Sequence, residues 1–138
     1  MVLVAAGPKG LECFLGKRKN SGTWSLMGGG IDPADNGNLR ATAFRELAEE
    51  AWTLAGPLML QDESAYPVAD TLSIDAPGYH WETYIVQVSR EEFGDIRLDP
   101  KEFTCGQWFA VDSLPPGTHR LLKWPFLQWP DLSQKLVA

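Results

Sequence analysis

The residues best equipped for chemistry form one run, Arg45-Glu46-Leu47-Ala48-Glu49-Glu50. On a helix, Glu46 and Glu50 are i,i+4 neighbours and Glu46 and Glu49 are i,i+3, so all three carboxylates lie on or near one face. Like charges at this spacing repel by about 0.2–0.5 kcal/mol per exposed pair. A hard divalent cation with oxygen ligands would offset that repulsion. Arg45 can offset part of it by pairing with Glu49. For the helix alone, a solvated acidic face is the simpler reading.

The preceding loop changes the balance. Gly28-Gly29-Gly30 follows an apparent strand and opens toward the helix, with Asp32 and Asp35 between them. Backbone without Cβ can approach a ligand closely, and its carbonyls can ligate a cation. Three glycines by themselves would be an ordinary tight turn. Strand, glycine loop and glutamate helix together make a coherent metal and phosphate site.

Such a site needs a scaffold, and the sequence supplies one. Residues 1–6 and 11–17 read as strands flanking the turn Gly7-Pro8-Lys9-Gly10. Residues 23–27 read as a short strand before the glycines. Asn38 or a residue near it caps a helix running to about Trp52. Leu39, Ala43, Leu47 and Leu54 recur at helical spacing, with Phe44 beside them. Gly56-Pro57 forces a stop. Residues 58–66, 82–88 and 107–111 read as further strands. Leu114-Pro115-Pro116-Gly117 breaks the chain before a short helix at about residues 119–124. Mixed strands with two helices predict one layered α/β (α+β) domain over residues 1–138.

Composition narrows the partners. A chain of 138 residues, 44% hydrophobic and 22% charged, suits one soluble core, and no apolar run approaches the length of a membrane span. The net charge of −6 lacks the basic excess that grips long polyanions, and the densest basic cluster is Lys17-Arg18-Lys19. Phosphate binding by so acidic a chain needs a local device such as a divalent cation. The expected partner is therefore a small phosphorylated ligand, neither extended nucleic acid nor a membrane. Two cysteines, Cys13 and Cys105, are too few for a disulfide framework. They read as buried small apolar residues in a cytoplasmic protein.

The segment from Gly29 to Thr53 resembles the Nudix box, Gly-x5-Glu-x7-Arg-Glu-U-x-Glu-Glu-x-Gly-U, where U is apolar. Gly29 fits the first glycine and the Arg45–Glu50 core fits without change. Leu15-Gly16-Lys17-Arg18, Gly22-Thr23-Trp24-Ser25-Leu26, Trp108-Phe109 and Leu114-Pro115 also resemble the family's flanks. Three departures stand out. Asp35 occupies the first glutamate position, and nine residues rather than seven separate it from Arg45. Trp52 and Thr53 replace the final glycine and its apolar neighbour. Met27 replaces the proline often found before the double glycine. A tryptophan does not easily take the left-handed conformation of a terminal glycine, so the helix is expected to run on toward Gly56.

The resemblance implies a Nudix-like α/β/α sandwich with a mixed central sheet. It also implies hydrolysis of a nucleoside diphosphate linked to another moiety, with Mg²⁺ or Mn²⁺. Glu46, Glu49, Glu50 and the Gly29 carbonyl become the metal-binding candidates, and Arg45 orients the glutamates. The general base comes from the box, with Glu46 preferred, or from a later loop, where Glu102 is the candidate. Lys17, Arg18, Gly28 and Gly30 are candidates for the substrate phosphates. With six tryptophans and three tyrosines offering stacking faces, Tyr79, Trp81 and Phe103 are candidates for a base, and His80 is a weaker one. Two alternatives stand beside this reading: a non-catalytic nucleotide-binding domain that retains the fold, and an interaction protein whose acidic helix is only surface.

Overall fold

The computed structural model describes residues 1–8, 10–25, 37–60, 64–76 and 79–118, with residues 69–70, 72–76 and 79–81 described by backbone alone. Strands β1 (Val2–Gly7) and β2 (Gly10–Arg18) form the expected antiparallel hairpin, in register from Leu3 opposite Phe14 to Gly7 opposite Gly10. Gly10 closes it at φ 113°, a conformation that disfavours a side chain. The continuous apolar run of β1 is explained by burial on both sides. Leu3 and Ala5 enter one core cluster, and Val2 and Val4 enter the other.

The short β3 (Trp24–Ser25) pairs with β2, and its Trp24 N–H donates to the Gly117 carbonyl at 3.0 Å. Helix α1 (Leu39–Glu50) begins where expected. The Asn38 side chain accepts from the Ala41 amide at 3.1 Å, a cap worth about 1 kcal/mol. Phe44 and Leu47 carry the helix onto the core with Leu3, Phe14 and Val86. Each such buried side chain contributes about 1.5–3 kcal/mol.

The helix stops at Glu50, neither at Trp52 nor near Gly56 as expected. Ala51 is extended (φ −135°, ψ 138°) while its N–H still donates to the Leu47 carbonyl. Strand β4 (Ala51–Thr53) then begins at once, pairing with β5 (Gly56–Pro57) and with β8 (Arg97–Leu98) in a small three-stranded sheet. The Asp99 N–H donates to the Glu50 carbonyl at 2.8 Å, and the Leu58 N–H to the Ala51 carbonyl at 3.0 Å. The Glu50 and Ala51 carbonyls are thus satisfied by neighbouring chain, and no left-handed glycine is needed at Trp52. Aromatic Trp52 and β-branched Thr53 suit the pleat. Leu54, counted above as a helix-face residue, is exposed in the β4–β5 turn.

With β6 over Val68–Ala76 and β7 over Tyr79–Gln87, the main sheet has the order β3-β2-β1-β7-β6, and β9 (Phe103–Ala110) is added to β2. Strand β1 is parallel to β7 (Tyr79–Gln87), and the other pairs are antiparallel, so the sheet is mixed as expected. Strand β6 (Val68–Ala76) was not anticipated. The strand expected over residues 58–66 is absent from its described part: Leu58 and Leu60 point into the core with Met59 outward, but they join no ladder. Alternation there records a chain crossing the core margin. Strands β7 and β9 begin earlier than their apolar residues suggested. The one-turn α2 (Arg90–Phe93) sets Phe93 into the same core. The helix expected over residues 119–124 lies outside the described residues.

Cys13 is buried, but Cys105 is exposed on β9, contrary to expectation, and both are free thiols. No helix among the described residues is long and apolar enough to cross a membrane.

Candidate active site

Three chain segments meet at the C-terminal end of α1. The helix supplies Arg45, Glu46, Glu49 and Glu50. The β8–β9 loop supplies Glu102, and the end of β2 supplies Arg18. The loop is fixed by backbone: Asp99 donates to Glu50 as above, and its own carbonyl accepts from the amides of Glu102 at 3.1 Å and Phe103 at 2.9 Å. The Lys19 N–H donates to the Glu102 carbonyl at 2.8 Å.

The three glutamates of the helix differ sharply. The Glu49 side chain is 57% exposed and faces Arg45, whose Nη1 lies 3.1 Å from its Oε1. The same Nη1 lies 3.2 Å from Glu46 Oε1, and that side chain is only 16% exposed. Arg45 therefore spans two carboxylates, as the sequence suggested. Exposed pairs of this kind contribute less than about 1 kcal/mol each, so the arrangement orients more than it stabilises. Glu50 is 5% exposed. Its side chain is hydrogen-bonded to that of Glu102, which is 48% exposed and paired with Arg18 Nη1 at 3.1 Å.

Burial first, then the hydrogen bond and negative charge of Glu102, push the Glu50 carboxyl up to about 8, with Arg18 opposing. Burial also raises Glu46, with the Arg45 charge opposing it and the charges of Glu49 and Glu102 adding to the rise. Two carboxyl groups in hydrogen-bond contact must share a proton or a cation. Among the described residues no three acidic, histidine or cysteine side chains converge as a ready cation cage. The donor set nevertheless fits a hard divalent ion: all oxygens, clustered negative charge, and a carboxyl holding a proton where an ion would relieve the same repulsion.

This arrangement gives a pH prediction. Between about pH 4.5 and 8 the folded chain holds a proton on Glu50 that the unfolded chain has released. Stability from this group is therefore full at low pH and lost as pH rises through 8, at up to about 1.4 kcal/mol per pH unit. The Met1 amino group, lowered to about 5 by burial, slopes the opposite way, so a difference measurement is needed. Glu50→Gln should gain stability relative to the parent as pH rises from 5 to 8.5 in metal-free buffer. Parallel curves of denaturant midpoint against pH would remove Glu50 as the titrating group.

The other candidates are placed as follows. Lys17 and Arg18 leave β2 on opposite faces: the Lys17 ammonium lies 6.0 Å from the Trp24 ring, and the Arg18 guanidinium lies 4.4 Å from the Phe103 ring. Only Arg18 joins the carboxylates. Phe103, expected as a base contact, is instead buried in the core at 2% exposure and cannot stack on a ligand there. Tyr79, His80 and Trp81 belong to β7, opposite Ala76, Asp75 and Ile74, so they are not loop residues. Gly28, Gly29, Gly30, Asp32 and Asp35 lie outside the described residues. Sequence reading missed the Glu50–Glu102 contact and the engagement of Arg18; no local pattern encodes a partner 52 or 84 residues away.

A mixed sheet with an acidic helix end faced by a glutamate loop defines an α+β domain. Residues 1–130 match the NUDIX domain, and the chain belongs to that family. Among solved structures it is similar to a C. elegans Ap4A hydrolase binary complex (TM-score 0.67, 17% identity, 98% of this chain and 95% of that one). It is also similar to the NUDIX domain of Shewanella oneidensis NrtR complexed with ADP ribose (0.56, 18%, 97% and 82%). A third is the MutT NUDIX hydrolase of Burkholderia pseudomallei (0.52, 22%, 92% and 95%). At these identities the likeness speaks for the fold. A search of curated proteins returned no match.

Proposed function

We propose that the protein is a metal-dependent hydrolase that cuts a diphosphate bond in a nucleoside diphosphate linked to another moiety. The observation that carries this reading is the contact of Glu50 with Glu102 at the end of a helix that also carries Glu46, within a NUDIX chain. Glu50 and Glu102, with Glu46 and Glu49 on the same helix, would hold Mg²⁺ or Mn²⁺, and the Gly29 carbonyl remains a proposed further ligand. The ion would neutralise the diphosphate and polarise its phosphorus.

The chain's own residues do the rest. Arg45 bridges Glu46 and Glu49 through one nitrogen and would align them. Glu46, its carboxyl raised by burial, is the proposed acceptor of the proton from the attacking water, since a base with raised pKa retains more driving force near neutral pH. Lys17, Gly28, Gly30, Tyr79 and Trp81 stay as proposed contacts for substrate. Similar structures include an Ap4A hydrolase and a domain complexed with ADP ribose, which makes a small nucleotide the preferred ligand class. Net charge is a weak argument against nucleic acid, because the similar structures also include NrtR complexed with a 27mer DNA. A cytoplasmic setting remains part of the proposal.

The test is product release from diadenosine tetraphosphate and ADP-ribose, with Mg²⁺, with Mn²⁺ and with excess chelator. Turnover is expected with either metal and none with chelator. Full activity in metal-free buffer would refute the mechanism. Tight binding of both ligands with no turnover under any metal would favour the non-catalytic alternative.

A further inference from the structure

Strand β9 carries an irregularity opposite the end of β2: Lys17 pairs with Cys105 but Arg18 pairs with Phe103, leaving Thr104 as the extra residue. A bulge of this kind bends the strand and re-aims side chains next to it. Its effect is to bring Phe103 and Glu102 under and beside the Arg18 guanidinium. Gly16 makes room for the same approach, because a Cβ there would stand 2.6 Å from Phe103 Cδ1 and 2.7 Å from Leu98 Cδ1.

Arg18 is occupied on three sides. Its Nε donates to Ser25 Oγ at 2.9 Å, its Nη1 donates to Glu102 Oε2 at 3.1 Å, and its plane lies over Phe103 at 4.4 Å. Ser25 ends the strand that leads toward the glycine run, and Glu102 touches Glu50. A planar fork can hold both partners in fixed relative positions, which a lysine ammonium on a flexible stem cannot.

We infer that Arg18 is a positioning residue that clamps Glu102 against the carboxylate end of α1 and ties it to the β3 strand, rather than a ligand of the substrate phosphates. The inference rests on the hydrolase reading for its kinetic consequence, but not for its structural one. An arginine spent on a phosphate remote from the reacting bond would act alike on ground and transition states, appear in KM and be independent of Glu102. An arginine that sets Glu102 acts through Glu102 and appears in kcat, and only while Glu102 is present.

The experiment compares Arg18→Met, Arg18→Lys, Glu102→Gln and the double variant Arg18→Met/Glu102→Gln, with diadenosine tetraphosphate and ADP-ribose as probes. Arg18→Met and Arg18→Lys are both expected to lower kcat by about tenfold or more with KM within about threefold. Adding Arg18→Met to Glu102→Gln should change kcat by less than about twofold, the mark of residues acting as one unit. A KM raised tenfold at unchanged kcat, equal in both Glu102 backgrounds, would overturn the inference in favour of a phosphate contact. Full rescue by Arg18→Lys would overturn it too.

Should neither probe be hydrolysed by the parent chain, the hydrolase reading fails and amide hydrogen exchange decides the clamp. The Glu102 and Phe103 amides should then exchange at least about fivefold faster in Arg18→Met and Arg18→Lys, with β1 amides unchanged. Unchanged exchange at Glu102 and Phe103 would refute the clamp.

Discussion

Replacing Glu50 with glutamine is expected to lower kcat by at least about 10²-fold at saturating Mg²⁺, the scale of a lost preorganised charge. The substitution keeps shape and removes the one carboxylate of the helix that is both buried and in contact with the β8–β9 loop. It also relieves repulsion with Glu102 and Glu46, so the fold should survive and gain stability above neutral pH. A loss of activity without a loss of fold is what separates a site residue from a structural one. Glu49→Gln is the comparison. It deletes the same charge one position along the helix, where the side chain is 57% exposed and held by Arg45. Its loss should be real but smaller, because a solvated group can be partly replaced by water. Steady-state kinetics of both variants, with thermal melts alongside, make the comparison. Near-normal rates in both would return the acidic helix to a solvated surface.

The second large effect separates Glu46 from Glu102. Glu46→Gln is expected to reduce kcat by about 10²–10⁴-fold with metal saturating, the range for a lost general base. Glu102→Gln should act differently. Its carboxylate lies against Glu50, so its removal should weaken Mn²⁺ binding by about tenfold, near one lost charged ligand contact, and lower kcat at saturating metal by only about ten- to twentyfold, well short of a lost base. The measurement is the pair of kcat values at saturating metal, with direct Mn²⁺ titrations of both variants. A large kcat loss in Glu102→Gln with unchanged Mn²⁺ affinity would transfer the base to the loop. Small and equal effects in both would place it elsewhere, with Asp99 the next residue to test.

How the sheet was legible, and where it was not, follows from particular residues. The β1–β2 hairpin was readable because a continuous apolar run, a Gly-Pro turn and a second run sit next to each other in the chain. The Asn38 cap was readable because capping is a contact over three residues. Strand β6 was overlooked although Leu72 and Ile74 alternate with Thr71, Ser73 and Asp75, because its small polar residues lack the β-branched or aromatic density that marks a strand. The helix end was misplaced for a different reason. Propensity alone lets a helix run through Trp52, but the Asp99 amide and the β4–β8 ladder draw the chain out of it, and both partners come from 45 or more residues away.

The amino-acid sequence by itself determined the carboxylate helix, the box that marks the family, and the hairpin that frames it, since each is written in residues within one or two turns of one another. Tertiary structure alone decided which glutamates meet. Glu46, Glu49 and Glu50 look equivalent on a helical wheel, yet burial against the β8–β9 loop sets Glu50 apart and brings Glu102 to it. Lys17 and Arg18 look equally able to meet a phosphate, yet the pleat sends them to opposite faces and the bulge at Thr104 commits Arg18 to Glu102. Short-range spacing fixes what a side chain is and which way it leaves the backbone. Its solvation and its charged neighbours, which set its pKa and its role, depend on chain segments that only folding brings together.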